Sequence, residues 1–152
     1  MKSALPSSGS LAAPSEPLRS LAWFRYRVRR FLRFTERVAR SSGVTPQQHQ
    51  LLLGVAGYTG RGWATISELA EFLQGRHNAV VGLVQRAADH GLVRKVQSEK
   101  DRRFTKVYLT RKGLTILDRI TRENITEFRA LQLEMMETPQ PQPRDIPAAQ
   151  GI

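Results

Sequence analysis

The chain has 152 residues, with 24 lysines and arginines against 13 acids, a formal charge of +11 and no cysteine. The missing thiols exclude disulfides, thiolate metal sites and cysteine nucleophiles, and no apolar run approaches the ~20 residues that a membrane helix needs. Arginine outnumbers lysine 19 to 5, and because a guanidinium forks onto phosphates and base edges, that bias points to a polyanionic partner.

Seven of the eight prolines fall in residues 1–18 and 138–152. This predicts two mobile tails, the second proline-rich, around one domain over residues 19–137. The first tail lacks the apolar stretch of a secretory signal, which fits a cytoplasmic protein. Arg19 to Ser42 reads as the first helix. Phe24, Val28, Phe31 or Leu32, Thr35 and Val38 recur at helical spacing, and Gly43 stops it. The run F-R-Y-R-V-R at residues 24–29 also alternates like a strand, but the length and the pattern that follows favour helix. This segment holds eight arginines with Glu36 as its sole acid, and it is rich in Trp23, Phe24, Tyr26, Phe31 and Phe34. A lone helix that apolar needs a partner surface.

Thr45-Pro46-Gln47-Gln48 opens the second helix with a capping box and a first-turn proline, and Leu51, Leu52, Leu53, Val55 and Ala56 are its expected buried positions. The run G-Y-T-G-R-G at residues 57–62 ends it in a plain turn. It is not a phosphate loop, because no Gly-Lys-Ser/Thr follows. Thr65-Ile66-Ser67-Glu68 is a second capping box and starts a short helix through Leu73. Gln74 and Gly75 turn the chain, and a fourth helix runs from about Arg76 to His90 with Val80, Leu83, Val84 and Ala87 as its buried stripe. Two short helices across a tight turn make a helix-turn-helix.

Two β-type runs follow, Val93 to Val96 and Phe104 to Leu109, around a polar turn with Lys100, Asp101, Arg102 and Arg103. Thr110 then caps a last helix, Arg111 to about Glu137, with apolar residues at Leu114, Leu117, Ile120, Ile125, Phe128 and Leu131. The fold class is therefore mainly α with a small β-hairpin: a winged helix-turn-helix core over about residues 45–110, between long N- and C-terminal helices. In such a fold the start of the second helix of the pair faces base edges in the major groove. Here it carries Arg76, His77 and Asn78, with Val81, Gly82, Gln85 and Arg86 further along. Arginine can fork onto guanine and asparagine onto adenine.

Asp101-Arg102-Arg103 followed by Val107-Tyr108-Leu109-Thr110-Arg111-Lys112-Gly113 resembles the D-x-R and V-x-L-T-x-K-G signature of the MarR family of transcriptional regulators. Ser67-Glu68-Leu69-Ala70 is similar to that family's S-E-L-A, and Gly91-Leu92-Val93 to its G-L-V. The resemblance spans about residues 20–137. It implies a homodimer with interleaved first and last helices. It also implies that Arg103 enters a minor groove while Asp101 orients it, in keeping with the strong negative potential of a narrow A·T-rich groove. The segment His77-Asn78-Ala79 departs from the S-x-T or S-x-V usual there, so the bases recognised do not carry over. Prolines from Pro139 onward stop the chain where many members have a further helix.

Catalysis finds no support. His49, His77 and His90 have no ligand partner at i, i+4, so neither a metal nor a cofactor is expected. The expectation is a homodimer that binds double-stranded DNA at a pseudo-palindromic operator, a repressor more often than an activator, modulated by a small molecule. The contacts assigned to DNA are Ser67, Arg76, His77, Asn78, Val81, Gln85, Arg86, Lys100, Asp101, Arg102 and Arg103. Trp23, Tyr26, His49 and Tyr58 are candidates for an effector pocket, although burial alone would account for each aromatic group. Two alternatives remain. One is an architectural protein that binds DNA without sequence preference; the other is a membrane-surface or protein-interaction module built on the arginine-rich first helix.

Overall fold

Three threonines start three of the helices. The Thr45 hydroxyl accepts the Gln48 amide (3.1 Å), while Gln48 Oε1 accepts the Thr45 amide (3.1 Å). Thr65 and Glu68 repeat the exchange at 3.3 and 2.8 Å. Thr110 accepts the Gly113 amide at 3.0 Å. Each bond satisfies an amide that a helix start leaves open. The structure, a computed structural model, describes residues 15–101 and 104–137. In chain order it contains α1 (Glu16–Ser41), α2 (Pro46–Leu53), a π-helical turn (Gly54–Tyr58), β1 (Trp63–Thr65), α3 (Ile66–Leu73), α4 (His77–Asp89), β2 (Val93–Gln97), β3 (Thr105–Leu109) and α5 (Arg111–Met136).

Two boundaries differ from the sequence reading. Helix α1 starts before Arg19, because Pro17 sits in its first turn, where the missing amide would have no helical partner anyway. The sheet has three strands in the order β1-β3-β2, all antiparallel, with Trp63 opposite Tyr108 and Tyr108 opposite Arg94. Only the β2–β3 hairpin shows in the periodicity. β1 is three residues long, too short to display an alternation, and it follows a glycine run that reads as a plain turn. The first part of that run instead prolongs α2 as the π-helical turn. Gly54 lets Phe72 pack close to this turn, since a Cβ there would lie 2.6 Å from the Phe72 ring.

The core lies under the helix-turn-helix. Leu51, Leu52, Val55, Ala64, Leu69, Val84, Ala87, Val107 and Ile120 are fully buried. The stripe Val80, Leu83, Val84 and Ala87 of α4 is buried as its spacing predicts. Leu53 of α2 is not buried: it is 44% exposed, because helical spacing carries it round from the side of Leu51, Leu52 and Val55, and Ala56 is half-buried. Leu114 and Phe128 of α5 also remain exposed despite their apolar spacing.

Helices α1 and α5 pack side by side. Arg27 donates to the Glu134 carbonyl (2.7 Å) and Arg30 to the Glu134 carboxylate (2.8 Å), and that hydrogen bond holds the Arg30 guanidinium above its usual range. Phe31 meets Phe128 at 6.2 Å between ring centres.

One joint ties the sheet to α4 and α5. Gly91 takes the left-handed conformation (φ 69°) that ends α4, and the Leu92 amide returns to the Ala87 carbonyl (2.9 Å). The Thr110 hydroxyl donates to the Gly91 carbonyl (2.5 Å), and Lys112 Nζ to the His90 carbonyl (2.9 Å). At Gly113 helix α5 comes so close that a Cβ would lie 2.0 Å from the Leu92 carbonyl oxygen. No side-chain rotation can relieve that contact. Gly113→Ala should therefore destabilise the fold by about 3 kcal/mol, read as a fall in the midpoint of urea unfolding; an unchanged midpoint would contradict this joint.

Candidate nucleic-acid interface

Helix α4 follows Leu73, Gln74 and Gly75, and Gln74 takes the left-handed conformation (φ 51°) that turns the chain. Arg76 occupies the cap position of α4 and makes no side-chain capping bond. Arginine has no acceptor with which to cap, so the first amides of α4 remain without a side-chain partner and carry the positive end of the helix dipole. Arg76, His77 and Asn78 are all exposed there.

Spacing places Asn78, Val81, Gly82 and Gln85 on one face of α4, opposite the buried stripe. Val81 is 44% exposed. At Gly82 a Cβ would meet only the mobile end of Arg86 (3.2 Å), so this face is flat and open to a close neighbour. Arg86 sits about 100° further round the helix and lines a cleft with Gln47 and Gln50 of α2. Ser67 is exposed in the first turn of α3. Gln85 is already engaged: its amide nitrogen donates to Asp89 (2.9 Å) and its oxygen accepts from Lys95 Nζ. Lys95, on β2, is a link between wing and recognition helix that the sequence reading missed. The alternation of β2 was the available signal, since Lys95 and Arg94 must face opposite sides of the sheet.

At the wing, the Ser98 amide donates to the Phe104 carbonyl (3.0 Å) and the Phe104 amide to the Asp101 carbonyl (3.1 Å). Lys100 is exposed and Asp101 half-buried. Arg102 and Arg103 lie outside the described residues, and so does the proposed orientation of Arg103 by Asp101.

A cavity of about 620 Å³ opens between α1, α2, α3 and α5. Phe31, Leu32, Leu53, Phe72, Ile125 and Phe128 supply most of its apolar wall, with His49 and Asn124 among its polar members. Among the described residues no lysine or arginine lines it, and its charged residue is Glu36. Of the four candidates from sequence, only His49 is in this wall. Trp23 and Tyr26 pack edge to face on α1 (5.4 Å), and Tyr58 packs on the outer side of Phe72 (5.1 Å). The wall is drawn from four helices, so no single segment displayed it. His49 is buried, and burial pushes its imidazole pKa below the usual value. The unfolded chain then takes up a proton near pH 6.5 while the folded chain resists until lower pH. Stability should therefore fall as pH drops below about 6.5, and His49→Gln should flatten that fall in urea titrations at pH 7.5 and 5.5. A variant with an undiminished slope would count against a neutral buried His49.

The model of the MarR family matches residues 42–103. No curated protein matches the chain in sequence. Among solved structures, AbsC, a MarR family transcriptional regulator from Streptomyces coelicolor, superimposes with a TM-score of 0.68 at 17% identity, over 85% of this chain and 86% of that one. A mutant MarR from E. coli complexed with operator DNA gives 0.61 at 19% identity, over 78% and 82%. A mutant MepR from S. aureus bound to an oligodeoxyribonucleotide gives 0.57 at 17% identity, over 79% and 83%. These likenesses establish the shared winged-helix fold.

Proposed function

We propose that this chain, whose residues 42–103 match the model of the MarR family, acts as a homodimeric repressor that binds operator DNA and is released from it by a small apolar molecule. The observation that carries the reading is the open face of α4. Asn78, Val81 and Gln85 lie exposed, with the half-buried Gly82 between them, beside a hairpin with a cationic turn, and that combination has the shape and charge to enter a major groove while the wing reaches the next minor groove. The DNA complexes of MarR and MepR support the same use of the fold.

Dimerisation is favoured by what α1 and α5 leave uncovered. Leu18, Leu21, Phe24 and Leu32 on α1, with Leu133, Met135 and Met136 on α5, are each 45% exposed or more. Two long helices with that much apolar surface gain by burying it against a second copy. Each winged lobe would then take one half-site, about one helical turn from its mate. Residues Ser67, Arg76, His77, Asn78, Val81, Gln85 and Arg86, with Lys100 to Arg103 at the wing, remain the contacts assigned to DNA.

The cavity lies between the long helices and the lobe, where an occupant would alter lobe position. It regulates only if the ligand prefers the form that does not hold DNA. With no cation among the described residues of the wall, Glu36 in it and the His49 pKa lowered by burial, a neutral apolar ligand fits better than an anion.

Selection from random duplexes should return an inverted repeat. Asn78→Ala should cost about 1–3 kcal/mol on the selected site and relax one base preference; an equal loss on random DNA would show that Asn78 touches only phosphate. The exposed pair Leu21→Asp and Phe24→Asp should yield a folded monomer by light scattering, with most of the operator affinity gone. A protein that stays dimeric after these changes would place the interface elsewhere.

A further inference from the structure

The solvent face of the sheet, opposite the side that meets α4, carries an alternating row of rings and cations. Strand register puts Trp63, Tyr108 and Arg94 in one line across β1, β3 and β2. The Arg94 guanidinium lies over the Tyr108 ring at 4.5 Å, and Arg61 lies over Trp63 at 3.9 Å. Lys106, two residues from Tyr108 and so on the same face, sits over Trp63 at 4.5 Å. Trp63 and Tyr108 themselves approach to 6.1 Å.

Two features set this row apart from an ordinary solvated sheet face. First, its cations are held on rings rather than free to sweep through solvent, so binding would cost them less rotamer entropy. A guanidinium stacked on a ring still presents its N–H edge outward. Second, the positive charge is incompletely balanced. Arg61 pairs with Glu68 at 2.5 Å, whereas neither Arg94 nor Lys106 pairs with a carboxylate among the described residues. Base stacking is disfavoured as the use of this face, because the ring surfaces are already covered by the cations. What remains open is a short line of fixed donors suited to phosphate oxygens.

The row is continuous with the proposed operator interface. Its β1 end leads through Thr65 directly into α3, where Glu68 joins Arg61 to the helix start next to Ser67. In a helix-turn-helix this first helix crosses the phosphate backbone. The Lys106 end runs up β3 towards the wing turn.

We propose that Arg61, Arg94 and Lys106, ordered by Trp63 and Tyr108, form an accessory phosphate-binding strip that grips the duplex backbone at each edge of the operator. This rests on the DNA-binding reading above, but it adds contacts that need no base sequence. The strip lengthens the footprint and adds salt-dependent affinity without adding specificity.

The test uses the full-length chain and a variant with Arg94→Gln and Lys106→Gln, both on the solvent face, with thermal melting to confirm an intact fold. Each protein is titrated across a salt series against a duplex carrying the selected inverted repeat and against a random duplex of about 40 base pairs, with hydroxyl-radical footprinting on the former. The variant should lose protection of the outermost phosphates. Its salt slope should shrink on both duplexes by about 0.9 for each phosphate contact removed, while the preference for operator over random DNA stays the same. Replacing Tyr108 by Leu while keeping Arg94 should weaken binding to an intermediate degree. An unchanged slope and footprint in the double variant would overturn the strip and leave the operator reading standing. Loss of the operator preference itself would also overturn it, by placing these residues in base readout. A wild-type chain that binds neither duplex would remove both readings together.

Discussion

The close passage of α5 over Leu92 at Gly113 is the constraint on which the rest of the molecule depends. A helix can lie against a carbonyl at that distance only where no Cβ intervenes. Around this point Gly91 ends the recognition helix, Leu92 begins the wing, and Thr110 ends the wing and caps α5. Three functional directions are thereby fixed by a few residues: the axis of α4, the plane of the hairpin and the axis of the long helix. Lys112, bonded to the His90 carbonyl, adds a cation at the negative end of α4.

A second connection runs from α2. Gln48 is buried, and both ends of its amide are satisfied: Oε1 caps Thr45, and Nε2 donates to His90 Nδ1 at 2.9 Å. The end of the recognition helix is therefore held from two sides, by α2 and by α5. Motion at the cavity, whose wall includes α2 and α5, has a short mechanical route to the orientation of α4. That route consists of packed helices and the Gln48–His90 hydrogen bond.

The electrostatics divide by surface. The cavity is apolar with a neutral histidine, and the long helices expose apolar residues that suit a second copy. Among the described residues, cations without a carboxylate partner lie at the start of α4 (Arg76), on the outer sheet face (Arg94, Lys106) and also along the solvent side of α1 (Arg19, Arg25, Arg29, Arg33). Arg27 and Arg30, by contrast, are matched by Glu134 where α1 and α5 meet.

The sequence alone determined the helices whose ends carry their own chemistry. Thr45, Thr65 and Thr110 announce starts, Gly91 announces a stop, and the stripe of α4 announces its buried side, because capping and periodicity are interactions among residues a few places apart. The exposed face of α4 followed from the same arithmetic. Tertiary structure alone decided the rest. β1 exists because Trp63 and Ala64 find β3, over forty residues away. The cavity wall passed over Trp23, Tyr26 and Tyr58 in favour of residues from four helices, and Gln85 was drawn into a bond with the wing by Lys95. Each of these outcomes depends on which distant surfaces meet, and a pattern read along one segment has no term for that meeting.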